Sequence, residues 1–369
     1  MQPCEVFSQA PQDSTRVWTF QTSPDPYPYQ VHTQPHSSQD FSTRSQGEGG
    51  GPSPLPPDSA RSLPNPRLSH LAQAASVLLL LALTSCAPPR SSRITIGAKN
   101  FTEQVVLGEL LAQEIESVYA AEGHPQRIDR RFYLAGSYIC QQALASGRID
   151  AYVEYTGTAL TAILKQPLPP PGQRDAATVL ATVRALYASR YHVRVEPPLG
   201  FEDTFAMVVR ADDARRLNLR TISDAARIAS QLRLGVGYEF ESRPDGLPGL
   251  SAAYNLHFAG PPRTMDLGLL YRALADHQVD MVAGNSTDGP IRALGLTVLE
   301  DDRHFFPPYE AVPLVREDSL TRHPELQIAM DRLTGKISAE EVQAMNDAVD
   351  GMHKDVTVVV RAFRTRKGL

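Results

Sequence analysis

The spacing of apolar positions along this chain alternates between the period of a strand and that of a helix. Ile94-Thr95-Ile96 is a short β-rich run, and Val106, Leu107, Leu110, Leu111, Ile115 and Val118 then recur at helical intervals. Asn100, with Glu103 three residues on, carries the signature of a capping box at the start of that helix. A strand, a loop and a helix are therefore predicted from residue 93 onward. The unit recurs: a helix ends near Gly147, a strand follows over Ile149 to Val153, and Tyr155-Thr156-Gly157-Thr158 turns into the next helix. Phe205 to Val209, Leu232 to Val236, Val279 to Ala283 and Leu296 to Leu299 read as further strands, separated by helical stretches near Ser223 to Ala229 and Leu267 to Ala275. The end of the chain reads as helical, with Pro324 suited to a first turn, Ser338 and Glu341 spaced as a capping box, and a mixed apolar and basic stretch from Val356 to Phe363. Strands alternating with helices predict an α/β architecture with largely parallel sheets, in which ligands bind beyond the carboxyl ends of strands.

None of this periodicity reaches the first part of the chain. Residues 1–69 hold twelve of the thirty prolines and the only tryptophan, Trp18, and such a segment cannot bury enough apolar surface to offset its ordering entropy. No fold is expected over residues 1–66. Arg67 and an apolar stretch from Leu71 to Leu83 follow, too short to cross a bilayer core of about 30 Å as a helix but suited to a signal peptide. Leu83-Thr84-Ser85-Cys86 then resembles a bacterial lipobox, so residues 67–86 are expected to be a lipoprotein signal, with Cys86 the site of lipidation. A secretory signal normally opens a chain, yet no methionine lies between Met1 and Met207. Residues 1–66 are accordingly expected to be an over-extended reading frame, with a non-AUG start near Leu63 to Leu71.

Composition narrows the function. The 369 residues allow two domains of ordinary size, and 42% hydrophobic content supplies their cores. A net charge of −5 without a long basic run argues against nucleic acid as a partner. Cys4, Cys86 and Cys140 match neither zinc-site spacing nor a disulfide framework, and Cys140, alone in a predicted helix, reads as a small core residue. The chain has no Gly-x-Ser-x-Gly elbow, no His-Glu-x-x-His, no Cys-x-x-Cys and no phosphate loop. Gly235-Val236-Gly237 lacks the third glycine of a dinucleotide fingerprint, and the ten histidines are scattered. These absences argue against an enzyme, and no catalytic residue, no metal and no cofactor is expected.

Separated motifs sharpen that reading. Residues 94–104 (Ile-Thr-Ile-Gly-Ala-Lys-Asn-Phe-Thr-Glu-Gln) closely resemble the opening of the glycine betaine, choline and carnitine binding proteins of osmoprotectant-uptake ABC transporters. In the same order come blocks at 150–158, 243–250 (Arg-Pro-Asp-Gly-Leu-Pro-Gly-Leu), 286–289 (Ser-Thr-Asp-Gly) and 306–310 (Phe-Pro-Pro-Tyr-Glu), and a tail from Leu333 to Val356. The resemblance implies a two-lobed periplasmic-binding-protein fold of type II character, with lobes at 93–201 plus 308–369 and at 202–307. It implies capture of a small quaternary amine outside the inner membrane, in the periplasm or at the cell surface, and its delivery to a permease subunit with its ATPase. Lys99, Thr158 and Arg243 would hold the ligand's carboxylate; Tyr155, Phe205, Asn285 and Tyr309 would line the ammonium pocket, and the Asp203 carbonyl would face the methyl groups. Phe205 lacks the hydroxyl, and Asn285 the ring, of the tyrosine-rich family pattern, which admits a larger betaine such as ergothioneine as an alternative ligand. Glu154 and Asp288 are expected to brace loops, and Arg243→Ala to weaken binding with folding nearly unchanged. A sensor that signals without import, and a secreted enzyme acting on a betaine, are the remaining alternatives.

Overall fold

The computed structural model describes residues 93–170 and 174–369. Cys86, the signal segment and everything before it lie outside the described residues. No described helix is long and apolar enough to cross a membrane.

Ten strands form two five-stranded sheets. The first contains β1 (Thr95–Gly97), β2 (Asp129–Arg131), β3 (Ala151–Tyr155), β4 (Val193–Val195) and β10 (Ala311–Arg316), in the order β2-β1-β3-β10-β4. The second contains β5 (Phe205–Val209), β6 (Leu234–Val236), β7 (Arg263–Thr264), β8 (Met281–Asn285) and β9 (Thr297–Leu299), in the order β7-β6-β8-β5-β9. Both faces of each sheet are covered, so their central strands are buried with little alternation. In β5, Met207 and Val209 enter one core cluster and Ala206 and Val208 another. In β10, Ala311 and Val315 face one core while Val312 and Leu314 face the other.

The sheets are mixed, which corrects the expectation of largely parallel ones. β1 pairs parallel with β2 and β3, and β6 with β7 and β8, but β10 runs antiparallel to β3 and β4, and β5 antiparallel to β8 and β9. The reason lies in the path of the chain. β1, β3, β6 and β8 end at the junction between the sheets, whereas β5 and β10 begin there, each having just crossed from the other sheet. The crossings run side by side: Ala311 N donates to Phe201 O (3.1 Å), Asp203 N to Tyr309 O (3.1 Å), and Glu202 and Glu310 form an isolated antiparallel bridge.

The helix Thr102–Ala121 is buried along most of its length, with Val106, Leu107, Leu110, Leu111 and Ile115 in the core of the first lobe. Its expected capping box is absent: the N-cap is Phe101, with no side-chain cap, and Glu103 points inward, 1% exposed. A carboxylate three residues into a helix can reach back to the cap or turn into the protein, and here partners in the interior take it. The second expected box is formed, Ser338 accepting from Glu341 N and Glu341 from Ser338 N at the head of Ala339–Asp350.

Candidate functional site

A cavity of about 230 Å³ opens where the carboxyl ends of β1, β3 and β8 meet the crossings, and all eight residues singled out for ligand contact line it. Lys99 lies two residues beyond β1, Tyr155 ends β3, and Thr158 closes the helical turn that follows. Asp203 and Tyr309 lie on the crossings, Phe205 opens β5, Arg243 follows the helix Tyr238–Ser242, and Asn285 ends β8 directly opposite Phe205.

One part of the wall is aromatic. The Phe205 ring packs edge-on against Phe240 (4.9 Å between centroids, 78°) and Tyr309 (5.6 Å, 70°), and Tyr155 lines the same cavity. Phe240 was missed by the sequence reading. Its one signal is position, on the short helix that ends just before Arg243, and a lone phenylalanine is far more often core than cavity wall. Ser137 and Glu239 were missed as well. Both line the cavity and meet across it, Ser137 N donating to Glu239 Oε1 (2.6 Å) and Ser137 Oγ to Oε2 (3.0 Å).

Another part carries two buried cations, each with a counter-ion. Lys99 Nζ pairs with Glu154 Oε1 and stands 4.9 Å from the Tyr155 ring centre. Glu154 therefore does more than brace a loop, since the same oxygen also accepts from Tyr155 N (2.8 Å) and fixes the ring's backbone. Arg243 is held on three sides: Nε donates to Asp245 Oδ1 (3.0 Å), Nη2 donates to Thr158 Oγ1 (3.1 Å), and the guanidinium lies 4.8 Å from the Phe205 ring centre. Tyr309 donates its hydroxyl to Asp245 Oδ2 (2.6 Å), so one carboxylate orients both Arg243 and an aromatic wall. Burial alone would raise the Asp245 carboxyl, but the adjoining Arg243 charge outweighs it and holds the group below the usual carboxylate range.

Behind Tyr155 lies a set of acids. Glu103 Oε1 accepts from the Tyr155 hydroxyl (2.6 Å), while Oε2 accepts from Thr287 Oγ1 and from Asn346 Nδ2 (3.0 Å). Burial pushes Glu103 up to about 7 despite these hydrogen bonds. Asp203, which accepts from Thr287 N (3.2 Å), is driven well above the carboxylate range by burial and then by Glu103 and Asp288. Asp288 accepts from Tyr271 Oη (2.6 Å) and from Asn285 N (2.9 Å), which is the bracing role expected of it. Burial pushes the Cys140 thiol up to about 12, which disfavours the thiolate. Away from the cavity, Glu122, His124 and Glu325 bring potential metal-ligating atoms within 4.8 Å of one another among the described residues.

Two α/β lobes joined by paired crossings, with a polar and aromatic cavity at their junction, define a two-lobed periplasmic-binding-protein fold. Residues 92–366 match the substrate-binding domain of ABC-type glycine betaine transport systems, and the chain belongs to that family. It is 35% identical over 298 residues to the carnitine transport binding protein of Listeria monocytogenes, covering 78% of this chain and 94% of that protein. It is 31% identical over 301 residues to the ergothioneine transport permease/ergothioneine binding protein of Helicobacter pylori, covering 80% of this chain but 52% of that one. Among solved structures it resembles one described as a glycine betaine/carnitine/choline ABC transporter, at 32% identity and a TM-score of 0.62, covering 74% of this chain and 98% of the other.

Proposed function

We propose that this protein captures a quaternary-ammonium compound outside the inner membrane and delivers it to an ABC permease, held to the membrane by a lipid on Cys86. The observation that carries the reading is the meeting of Tyr155, Phe205 and Tyr309 with Lys99, Thr158 and Arg243 around one cavity. A trimethylammonium group has no proton to donate, so it is held by aromatic faces, at about 0.5–2 kcal/mol per ring. A carboxylate at the ligand's other end accepts charge-assisted hydrogen bonds from lysine, arginine and hydroxyl donors. Lobes at 93–201 plus 308–369 and at 202–307 would close on the ligand, and no chemical step is needed. Native mass spectrometry of protein purified from cell extract tests this by weighing the trapped ligand. Protein that emerges empty and binds no quaternary amine in calorimetric titration refutes it.

A larger betaine, such as ergothioneine, is the second reading, and Asn285 favours it. A second cavity of about 550 Å³ shares Asn100, Phe101, Asp266, Leu267 and Asn285 with the first, so an asparagine stands where a ring would divide the two. Asn285→Tyr is expected to tighten glycine betaine binding roughly 2- to 30-fold, the worth of one cation–π contact, and to weaken binding of ergothioneine. Calorimetric titration of both proteins with glycine betaine, choline, carnitine and ergothioneine checks it. Anchoring has its own test: Cys86→Ser removes the thiol that the lipid thioether needs, and the variant is expected to leave the membrane fraction. Stable anchoring takes two or more acyl chains, so partial retention is not expected.

A further inference from the structure

Three buried residues of the matching motifs, Glu103, Thr287 and Asn346, lie behind the aromatic wall and do not line the cavity of about 230 Å³, although Glu103 and Asn346 border the second one, of about 550 Å³. They come from different parts of the chain. Glu103 lies in the first turn of Thr102–Ala121 and Asn346 in Ala339–Asp350, both on the side of the first sheet, while Thr287 follows β8 of the second. Asn346 Nδ2 donates both to Glu103 Oε2 and to Thr287 O (3.0 Å each), and Thr287 Oγ1 donates to Glu103, so the three close a hydrogen-bonded triangle across the two sides. Next to it, the backbone of Gly289 meets Ala339–Asp350 so closely that a Cβ would stand 2.7 Å from Asp347 N.

We propose that Glu103 is a positioning residue for ligand capture: it fixes the Tyr155 ring through its hydroxyl and, through Thr287 and Asn346, latches the second lobe onto the first. This rests on the function proposed above. The chemistry of the triangle suits a latch that must also release. Tyr155 and Asn346 reach Glu103 from its own lobe, but the Thr287 hydroxyl is on offer only when the lobes meet, and a buried carboxylate that loses a donor is costly. Closing also removes the group from water, so the closed form binds a proton more tightly than the open one. The groups facing Glu103 are the Tyr155 and Thr287 hydroxyls, the Asn346 amide and the carboxylates of Asp203 and Asp288. With its pKa raised in the closed form, Glu103 favours closure fully below the ordinary carboxylate range, and that contribution is lost as pH rises through about 7. Asp203 and Asp288 shift in the same direction.

The test uses the full chain with Glu103→Gln, Thr287→Val and Gly289→Ala. Hydrogen–deuterium exchange is read over residues 284–290 and 343–350, free and with glycine betaine or carnitine as probe, and calorimetric titration with the same probes is run at about pH 5.5 and pH 8. Thr287→Val is expected to raise exchange in both segments, to leave the β3 and β10 core protected, and to weaken probe binding roughly 10-fold or more. Gly289→Ala acts as a wedge without removing a hydrogen bond and is expected to raise exchange in the same segments. Wild-type binding is expected to tighten as pH falls across that interval, and Glu103→Gln, which cannot titrate, to show a shallower dependence. Unchanged exchange in both Thr287→Val and Gly289→Ala, free and with probe, overturns the latch whether or not a probe binds. An equal pH slope in Glu103→Gln overturns the assignment to Glu103. Failure of the wild type to bind any probe counts against the proposed function alone, because exchange in the free protein still decides the latch.

Discussion

Arg243 is tied to the fold as firmly as to the cavity. Its partner Asp245 is 0% exposed, and with the guanidinium gone that carboxylate keeps Tyr309 as a donor but has no other ion-pair partner among the described residues. Breaking a buried pair by removing one member costs about 3–5 kcal/mol. Arg243→Ala is therefore expected to lose that much stability as well as ligand binding, which corrects the expectation that folding would be nearly unchanged. Urea unfolding measures it. Arg243→Ala with Asp245→Asn should regain part of the stability and none of the binding, and an unchanged urea midpoint in the single variant would show that Asp245 is stabilised from elsewhere. Single residues also mark how far the sequence could be read. Lys99 and Arg243 stand out because they sit in recognisable motifs, but their counter-ions do not: Glu154 reads first as a loop brace and not as a partner for Lys99, and Asp245, two residues from Arg243, carries no signal of its own. A carboxylate in a motif has the same signature whether it faces solvent, a cap or a buried cation, and only the fold decides among them.

At the scale of elements, the turn between β3 and the π-helical stretch Ala159–Ile163 sets the position of the aromatic wall. Gly157 lies in that turn, and a Cβ there would stand 2.6–2.7 Å from carbons of the Tyr309 ring and 2.8 Å from Pro308 O. Only hydrogen fits. Gly157→Ala must displace Tyr309 or the crossing that carries it, and overpacking of this kind costs about 1–3 kcal/mol. We expect a lower melting temperature together with weakened glycine betaine binding in calorimetry, whereas normal affinity in a folded variant would mean that Tyr309 can yield without leaving the ligand. Strands with unbroken apolar runs, such as Phe205–Val209, and the helix Leu267–Ala275 were legible because tertiary packing and local pattern agree there. β10 was not. Pro313 sits within it, and proline in a strand removes a ladder donor and normally argues for an edge or a bulge. It is tolerated because Pro313 faces the chain just past the end of β4, where the ladder stops at Val195, and it still accepts from Glu196 N (2.9 Å). β7, two residues long, is below what periodicity can register.

For the molecule as a whole, the two-lobed architecture became readable through several short blocks in collinear order, since no single strand or helix distinguishes this fold from any other α/β protein. What pattern alone could not supply was strand direction, which depends on the path between lobes. That path has a mechanical meaning. Two chain segments that cross side by side and share hydrogen bonds act as one axle rather than two loose tethers, and Asp203 and Tyr309 are mounted on it. In a body that opens and shuts, points on the axle barely travel while points on the rim sweep wide. On the closure proposed above, Tyr309 and Asp203 would form a landing that stays in place while Arg243 and Asn285 ride on the swinging leaf, so that arrival and enclosure would be separate events in time.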